Sequence, residues 1–360
     1  MKKYSLLTIL IALLTIALAA FGEENRAVLP IRGLHCGAPG KEDLPLCLKF
    51  IREALPKEGV THLVIEFNYS YQFASHPELA SPNALSKEDV SSIVEACREA
   101  KVKLIPQFNC LGHQSWAKNT FSLLTKYPEF DETPGKYPDN KDIYCRSYCP
   151  LHPKVHEVVF ALIDELADVC QAEAFHVGMD EVFLLGDDDC PRCKSKNKAE
   201  LFAGEVKILR DHLAESNRVL WMWGDRFLDG ETTGVGEWEG SKNQTAPAID
   251  LVPKDIVICD WHYEFAAPTA PYFALKGFNV VSSPWRKADV ALGQLDLIRS
   301  VRQNANELVA NRMQGVLHTT WCGMSSFVKA YYAEEASTRR NARETADCFK
   351  KLFAAIREGK

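Results

Sequence analysis

Phe175-His176-Val177-Gly178-Met179-Asp180-Glu181-Val182-Phe183-Leu184-Leu185-Gly186 is the stretch on which the reading of this chain turns. An apolar entry, Ala174-Phe175, runs into His176, Asp180 and Glu181. Two adjacent acids at the end of a buried strand must be paired, solvated or neutralised. Successive strand residues face opposite sides of a sheet, so two carboxylates serving one pocket must sit where the strand stops. The C-terminal mouth of a parallel barrel is such a place.

Outward from that stretch, short apolar runs alternate with amphipathic segments, which predicts parallel strands joined by crossover helices. The strands are expected near Val28–Leu34, His62–Phe67, Val102–Gln107, Ala174–Val177, Arg218–Trp223, Asp255–Cys259, Gly277–Ser282 and Gly315–Thr320. Helices are expected over Lys41–Ala54, Ser86–Ala100, Lys154–Cys170 and Ala199–Ser216, and over 287–310 and 325–357. Ser86 with Asp89 three residues on reads as a helix cap. The Gly- and Thr-rich stretch 230–253 reads as a loop, so the interval between the fifth and sixth strands has the weakest helix. Eight such units predict an α/β fold, a single (β/α)8 TIM-type barrel over 26–360. No internal repeat or second domain is visible.

The sequence His176-Val177-Gly178-Met179-Asp180-Glu181 resembles the His-x-Gly-Gly-Asp-Glu signature of family 20 glycoside hydrolases, the β-N-acetylhexosaminidases, and is most similar to the short hexosaminidase D type. Met179 departs from it, standing where the commoner signature has Gly. The resemblance extends more weakly over about residues 29–330. It implies an exo-acting enzyme that removes terminal GlcNAc or GalNAc with retention and without a cofactor. Many members carry an accessory α+β domain before the barrel, which is not expected here. In the implied substrate-assisted route the sugar's own 2-acetamido oxygen attacks the anomeric carbon. Glu181 is then the general acid, Asp180 orients the acetamido group, and Tyr263 holds its oxygen.

Further residues follow by the same resemblance. Arg32 is expected on the terminal-sugar hydroxyls, for which its fork of donors is suited. Trp223, Trp261 and Trp321 are expected around the sugar, with Trp285 a weaker candidate, and Asp225 on O4 or O6. His113 and His176 are expected to flank the acids. Two rivals stand beside this reading: a retaining glycosidase with Glu66 or Asp225 as protein nucleophile, and a silent sugar-binding protein, which has no need of an acid.

The composition is that of a globular domain, 46% hydrophobic and 25% charged over 360 residues. A net charge of −6 without a basic cluster argues against nucleic acid; a glycan with a terminal N-acetylhexosamine is the partner that the resemblance implies. Lys2 and Lys3, the apolar run Leu6–Ala20 and Ala17-Leu18-Ala19 read as a secretory signal peptide over 1–20. The chain is therefore expected to be secreted or periplasmic, with no stable membrane insertion after cleavage. Twelve cysteines are many for such an enzyme. Cys145 and Cys149, with Cys190 and Cys193, suit a structural zinc, disulfides in an exported protein, or free buried thiols. The chemistry itself needs no metal.

Overall fold

A computed structural model describes residues 28–333 and 339–359. The proposed signal peptide lies outside the described residues. Eight parallel strands close on themselves: β1 (Ile31–Gly37), β2 (His62–Glu66), β3 (Lys103–Cys110), β4 (Ala174–Gly178), β5 (Val219–Trp223), β6 (Val257–Asp260), β7 (Asn279–Ser282) and β8 (Met313–Thr320). β1 closes the ring by pairing with β8, Ile31 opposite Gly315 through Cys36 opposite Thr320. The predicted (β/α)8 barrel is the observed fold.

Alternation divides the apolar residues into two cores. Leu34, Cys36, Leu63, Ile65, Phe175, Val177, Met222 and Ile258 face outward and meet the helices. Ile31, Val64, Ile105, Trp221, Trp223, Val257, Cys259 and Leu317 fill the interior. Both Trp221 and Trp223 therefore point inward, with Met222 outward between them. Toward the C-terminal ends the inward positions turn polar, as His35, Glu66, Gln107, Asn109 and His176.

The helices that brace the ring follow their sequence signals. The helix Lys87–Ala100 opens on a reciprocal cap: Asp89 N donates to Ser86 Oγ (3.2 Å) and Ser86 N to Asp89 Oδ2 (2.9 Å). Lys198–Glu215 starts at Asn197, whose side chain accepts from Glu200 N. Between β5 and β6 only two single turns form, Asp225–Phe227 and Ala246–Asp250. No helix among the described residues is long and apolar enough to cross a membrane.

Candidate active site

The two acids reach one pocket because the chain leaves the extended conformation at the end of β4. Gly178, Met179 and Glu181 have φ of +68°, +70° and +48°. Left-handed residues break the in–out alternation, so neighbours in sequence become neighbours in space. Gly178 is required there: a Cβ would lie 2.6 Å from Asn109 Oδ1 and 2.9 Å from Asn109 Cα. Met179 takes the same backbone region as a fully buried side chain, at a cost of about 1–2 kcal/mol.

His113 joins the pair. Its Nε2 lies 3.1 Å from Asp180 Oδ2 and 3.2 Å from Glu181 Oε2, and its Nδ1 is 3.6 Å from Cys145 Sγ. Burial opposes charge on the ring, but Asp180, Cys145 and Glu181 outweigh it and hold the His113 pKa well above the usual histidine range. Burial raises the Glu181 pKa; His113 opposes this, while the charges of Asp180 and Asp225 add to it. A carboxyl shifted upward is suited to donate a proton.

A cavity of about 440 Å³ opens on this group, lined by Glu66, Asn68, Asn109, His113, Asp180 and Trp321 among others. Its base is a hydrogen-bonded polar layer. Asn68 Nδ2 and Asn109 Nδ2 both donate to Glu66 Oε1 (2.6 and 3.1 Å). Gln107 Nε2 donates to Asn109 Oδ1, and Gln107 Oε1 faces His35 Nε2 at 3.1 Å. With Glu66 as acceptor, the chain orients both amides and leaves His35 Nε2 as the donor. Burial lowers the His35 pKa to about 4, so the ring is neutral at pH 7. A larger cavity, about 560 Å³, lies at the other end of the barrel around His62, Lys103, Glu173 and Trp221; it brings no pair of acids together.

Aromatic side chains wall and rim the mouth. Trp321 Nε1 donates to Tyr263 Oη (2.6 Å), and Trp261 packs on Tyr263 at 5.1 Å. Trp116 stacks on His113. Tyr144 sits edge-on between Trp116 and Trp238, at 4.5 and 4.6 Å, and Phe183 meets Trp238 at 5.2 Å.

Residues 62–340 match the model of the glycosyl hydrolase family 20 catalytic domain. The chain belongs to that family. Among curated relatives, it is 24% identical to the human beta-hexosaminidase subunit beta over 252 residues, 65% of this chain and 40% of the relative. It is 22% identical to a Vibrio furnissii beta-hexosaminidase over 200 residues, 55% and 30% of the two chains. It thus spans less than half the length of these relatives. Among solved structures, a beta-N-acetylhexosaminidase superposes with a TM-score of 0.62 at 16% identity, covering 92% of this chain and 76% of that one. The Bacteroides fragilis beta-N-acetylhexosaminidase gives 0.61 at 14%, covering 90% and 66%. These structural likenesses bear on the fold.

Within this family 20 barrel, Asp180, Glu181, His113, Tyr263, Trp261 and Trp321 come together at the mouth. Arg32 does not. It stands near the N-terminal end of β1 and faces outward, and its Nε and Nη1 donate to Gly59 O and Leu29 O (both 2.7 Å). The strand starts three residues later than expected, so its mouth end is Gly37 and its pocket-side residue is His35.

Asp225, expected on O4 or O6, has both oxygens engaged by the protein. It is fully enclosed, and its Oδ2 accepts from Glu181 N (3.0 Å) and Arg226 Nε (2.6 Å) while Oδ1 accepts from Trp261 Nε1 (3.3 Å). Arg226 Nη2 in turn donates to the carbonyls of Glu237, Trp238 and Gly240 at 2.7–2.9 Å. Trp223 lies a layer below the pocket, against His35, His176 and Trp321. His176 is fully buried and its Nδ1 accepts from Gly178 N (3.1 Å), so it sets the turn under the acids. Trp285 packs behind Tyr263 and donates to Thr345 Oγ1.

Sequence reasoning left out His35, Gln107, Asn68, Asn109 and Glu239. Glu239 holds the other flank: its carboxylate accepts from Tyr263 N (3.2 Å) and lies 2.8 Å from His262 Nδ1. Polar residues at every second position near strand ends were the available signal for Gln107 and Asn109.

Two groups of side chains could hold a metal among the described residues. His113, Cys145 and Glu181 form one, beside the pocket that His113 lines. Glu132, Cys149, Cys190 and Cys193 form the other. Cys145 therefore does not join Cys149, Cys190 and Cys193. The segment between Cys145 and Cys149 runs alongside Leu111 and Gln114 on one side and Phe130 and Glu132 on the other, carrying Cys145 away to the pocket.

Proposed function

We propose that the protein is an exo-acting β-N-acetylhexosaminidase that releases terminal GlcNAc or GalNAc with retention by substrate-assisted hydrolysis. The observation that carries this is the left-handed turn placing Asp180 and Glu181 side by side against His113, at one wall of a pocket whose base is closed. Neighbouring carboxylates on one wall do not suit the opposed pair, about 5–5.5 Å apart across the sugar, of a protein-nucleophile mechanism. They suit a division of labour in which the substrate supplies the nucleophile.

Glu181, its pKa raised by burial, protonates the departing glycosidic oxygen and then takes a proton from water. Asp180 Oδ1 has no hydrogen-bond partner within the protein and is free to accept the acetamido N–H. Tyr263 Oη accepts from Trp321 and keeps its own proton to donate to the acetamido oxygen. Glu66, Asn68 and Asn109 meet the sugar hydroxyls at the base, the task first expected of Arg32. Lys2, Lys3 and the run Leu6–Ala20 support export; a retained Met1 in the intact mass of exported protein refutes cleavage.

The test is hydrolysis of aryl β-GlcNAc, β-GalNAc and β-glucoside, with N-acetylglucosamine-thiazoline as inhibitor. Turnover of the acetamido sugars alone, blocked by the thiazoline and reduced about 10²–10⁴-fold in Glu181→Gln, is expected. Glucoside cleavage overturns the mechanism and moves the nucleophile to Glu66, the other carboxylate on the cavity. Sugar binding without turnover overturns the enzymatic reading.

A further inference from the structure

We infer that Glu132, Cys149, Cys190 and Cys193 form a structural zinc site that locks the loops following β3 and β4 together beneath the catalytic turn. All four residues are fully buried. One ligand atom from each lies within 4.8 Å of the others. Cys149 Sγ is 3.4 Å from Cys193 Sγ and 3.5 Å from Cys190 Sγ. A disulfide needs about 2.05 Å between sulfurs, and among the described residues none of the cysteines is so joined. Two sulfurs on a tetrahedral zinc, each about 2.3 Å from the ion, stand about 3.8 Å apart. The observed separations are close to that second value.

Two further features point to an ion. Cys193 N donates to Cys190 Sγ (3.3 Å), so the Cys190-Pro191-Arg192-Cys193 turn already presents both sulfurs to one side. A main-chain N–H on sulfur favours the thiolate, which is the form that binds metal. Glu132 supplies the second feature. Its Oε1 accepts from Gly186 N (2.7 Å) and Asp187 N (3.3 Å), whereas its Oε2 is buried and has no main-chain donor, only the neighbouring thiols of Cys190 and Cys193. A buried carboxylate oxygen met by weak thiol donors alone is poorly compensated without a cation. Three thiolates and one carboxylate complete a closed four-coordinate set, and binding releases the thiol protons.

The site is separate from the chemistry, since its residues do not line the sugar pocket. It bears on the chemistry indirectly, through Gly186 and Asp187 at the end of the segment that begins with Asp180 and Glu181, and through the segment from Cys149 back to Cys145 beside His113. The proposal stands whether or not the protein cleaves acetamido sugars.

The experiment is elemental analysis of the full chain, purified in reducing buffer without chelator, followed by exchange with cobalt(II). About one zinc per chain is expected, with sulfur-to-cobalt charge-transfer absorption and the intense visible bands of a tetrahedral centre after exchange. Glu132→Gln should release zinc to a chelator about tenfold faster or more. Cys193→Ser should lose the metal; if it fails to fold, the wild-type cobalt spectrum decides alone. Absence of stoichiometric zinc together with no rise in Tm on adding zinc overturns the inference. So does a Cys190–Cys193 disulfide in the mass map of unreduced protein.

Discussion

Asp225→Asn separates a residue that holds the acid from one that holds the sugar. Asp225 is fully enclosed, and both of its oxygens are used: Glu181 N and Arg226 Nε share one, and Trp261 Nε1 takes the other. Asparagine keeps the shape but brings two donors. If its oxygen faces Glu181 and Arg226, its NH2 confronts the indole N–H of Trp261; if it flips, it confronts the other two. In either case buried Arg226 loses its counter-charge. Breaking a buried ion pair on one side costs about 3–5 kcal/mol. At about 2.1 cal/mol/K of unfolding entropy per residue, the 360-residue chain should lose about 4–7 °C in Tm.

The kinetic effect should fall on turnover. In either orientation the amide is pushed out of place by a facing donor and the Glu181 main chain it holds shifts with it; a displacement of about 1 Å in a catalytic group costs about 100-fold. KM, set mainly by Glu66, Asn68, Asn109 and Trp321, which Asp225 does not touch, should stay within about twofold. Differential scanning fluorimetry and steady-state hydrolysis of aryl β-GlcNAc measure both quantities. A raised KM with unchanged Tm and kcat would refute the reasoning and return Asp225 to the sugar hydroxyls.

Three other perturbations test separate parts of the structure. His113→Gln removes the positive ring that opposes the upward shift of Glu181, so the alkaline limb of the kcat–pH profile should move to higher pH; an unmoved limb would mean that Glu181 is not the titrating acid. His318 is buried against Phe349 with a pKa lowered to about 3 by burial. The unfolded chain therefore takes up the proton first, and stability is lost as pH falls from about 6.5 toward 3. His318→Leu should flatten Tm against pH in that window, and an unchanged slope would count against it. Trp238→Ala removes an exposed rim ring and should raise KM for a disaccharide several-fold more than for an aryl glycoside; equal effects on both would place Trp238 outside the leaving-group side.

The eight strands were legible because each is a short apolar run with a turn signal behind it, and Ser86 with Asp89 announced its helix. Boundaries carried the errors. Starting β1 at Val28 rather than Ile31 put Arg32 near the mouth, whereas three residues of shift place it at the opposite end. Ending β3 at Gln107 cut off Asn109, because polar residues interrupt the apolar pattern even where they face the pocket. Asp180 and Glu181 were readable as a pair, since adjacency itself required a break in the strand. Their agent, a left-handed run that includes Met179, is a backbone property that the side-chain pattern does not encode. The partners of Asp225, Glu181 N and Trp261, were not legible because they are distant in the chain and meet it only in the fold.

The segment Glu237–Gly240 is fastened at both ends of the chemistry. Arg226 grips its carbonyls and carries the connection through Asp225 to the acid, while Glu239 supports the main chain of Tyr263. A change of shape in this loop therefore reaches Glu181 and Tyr263 at once, so on the proposed mechanism it alters proton donation and acetamido binding together. To alter what lies beyond the terminal sugar without loss of turnover, the whole loop should have to be exchanged together with Arg226 and Glu239.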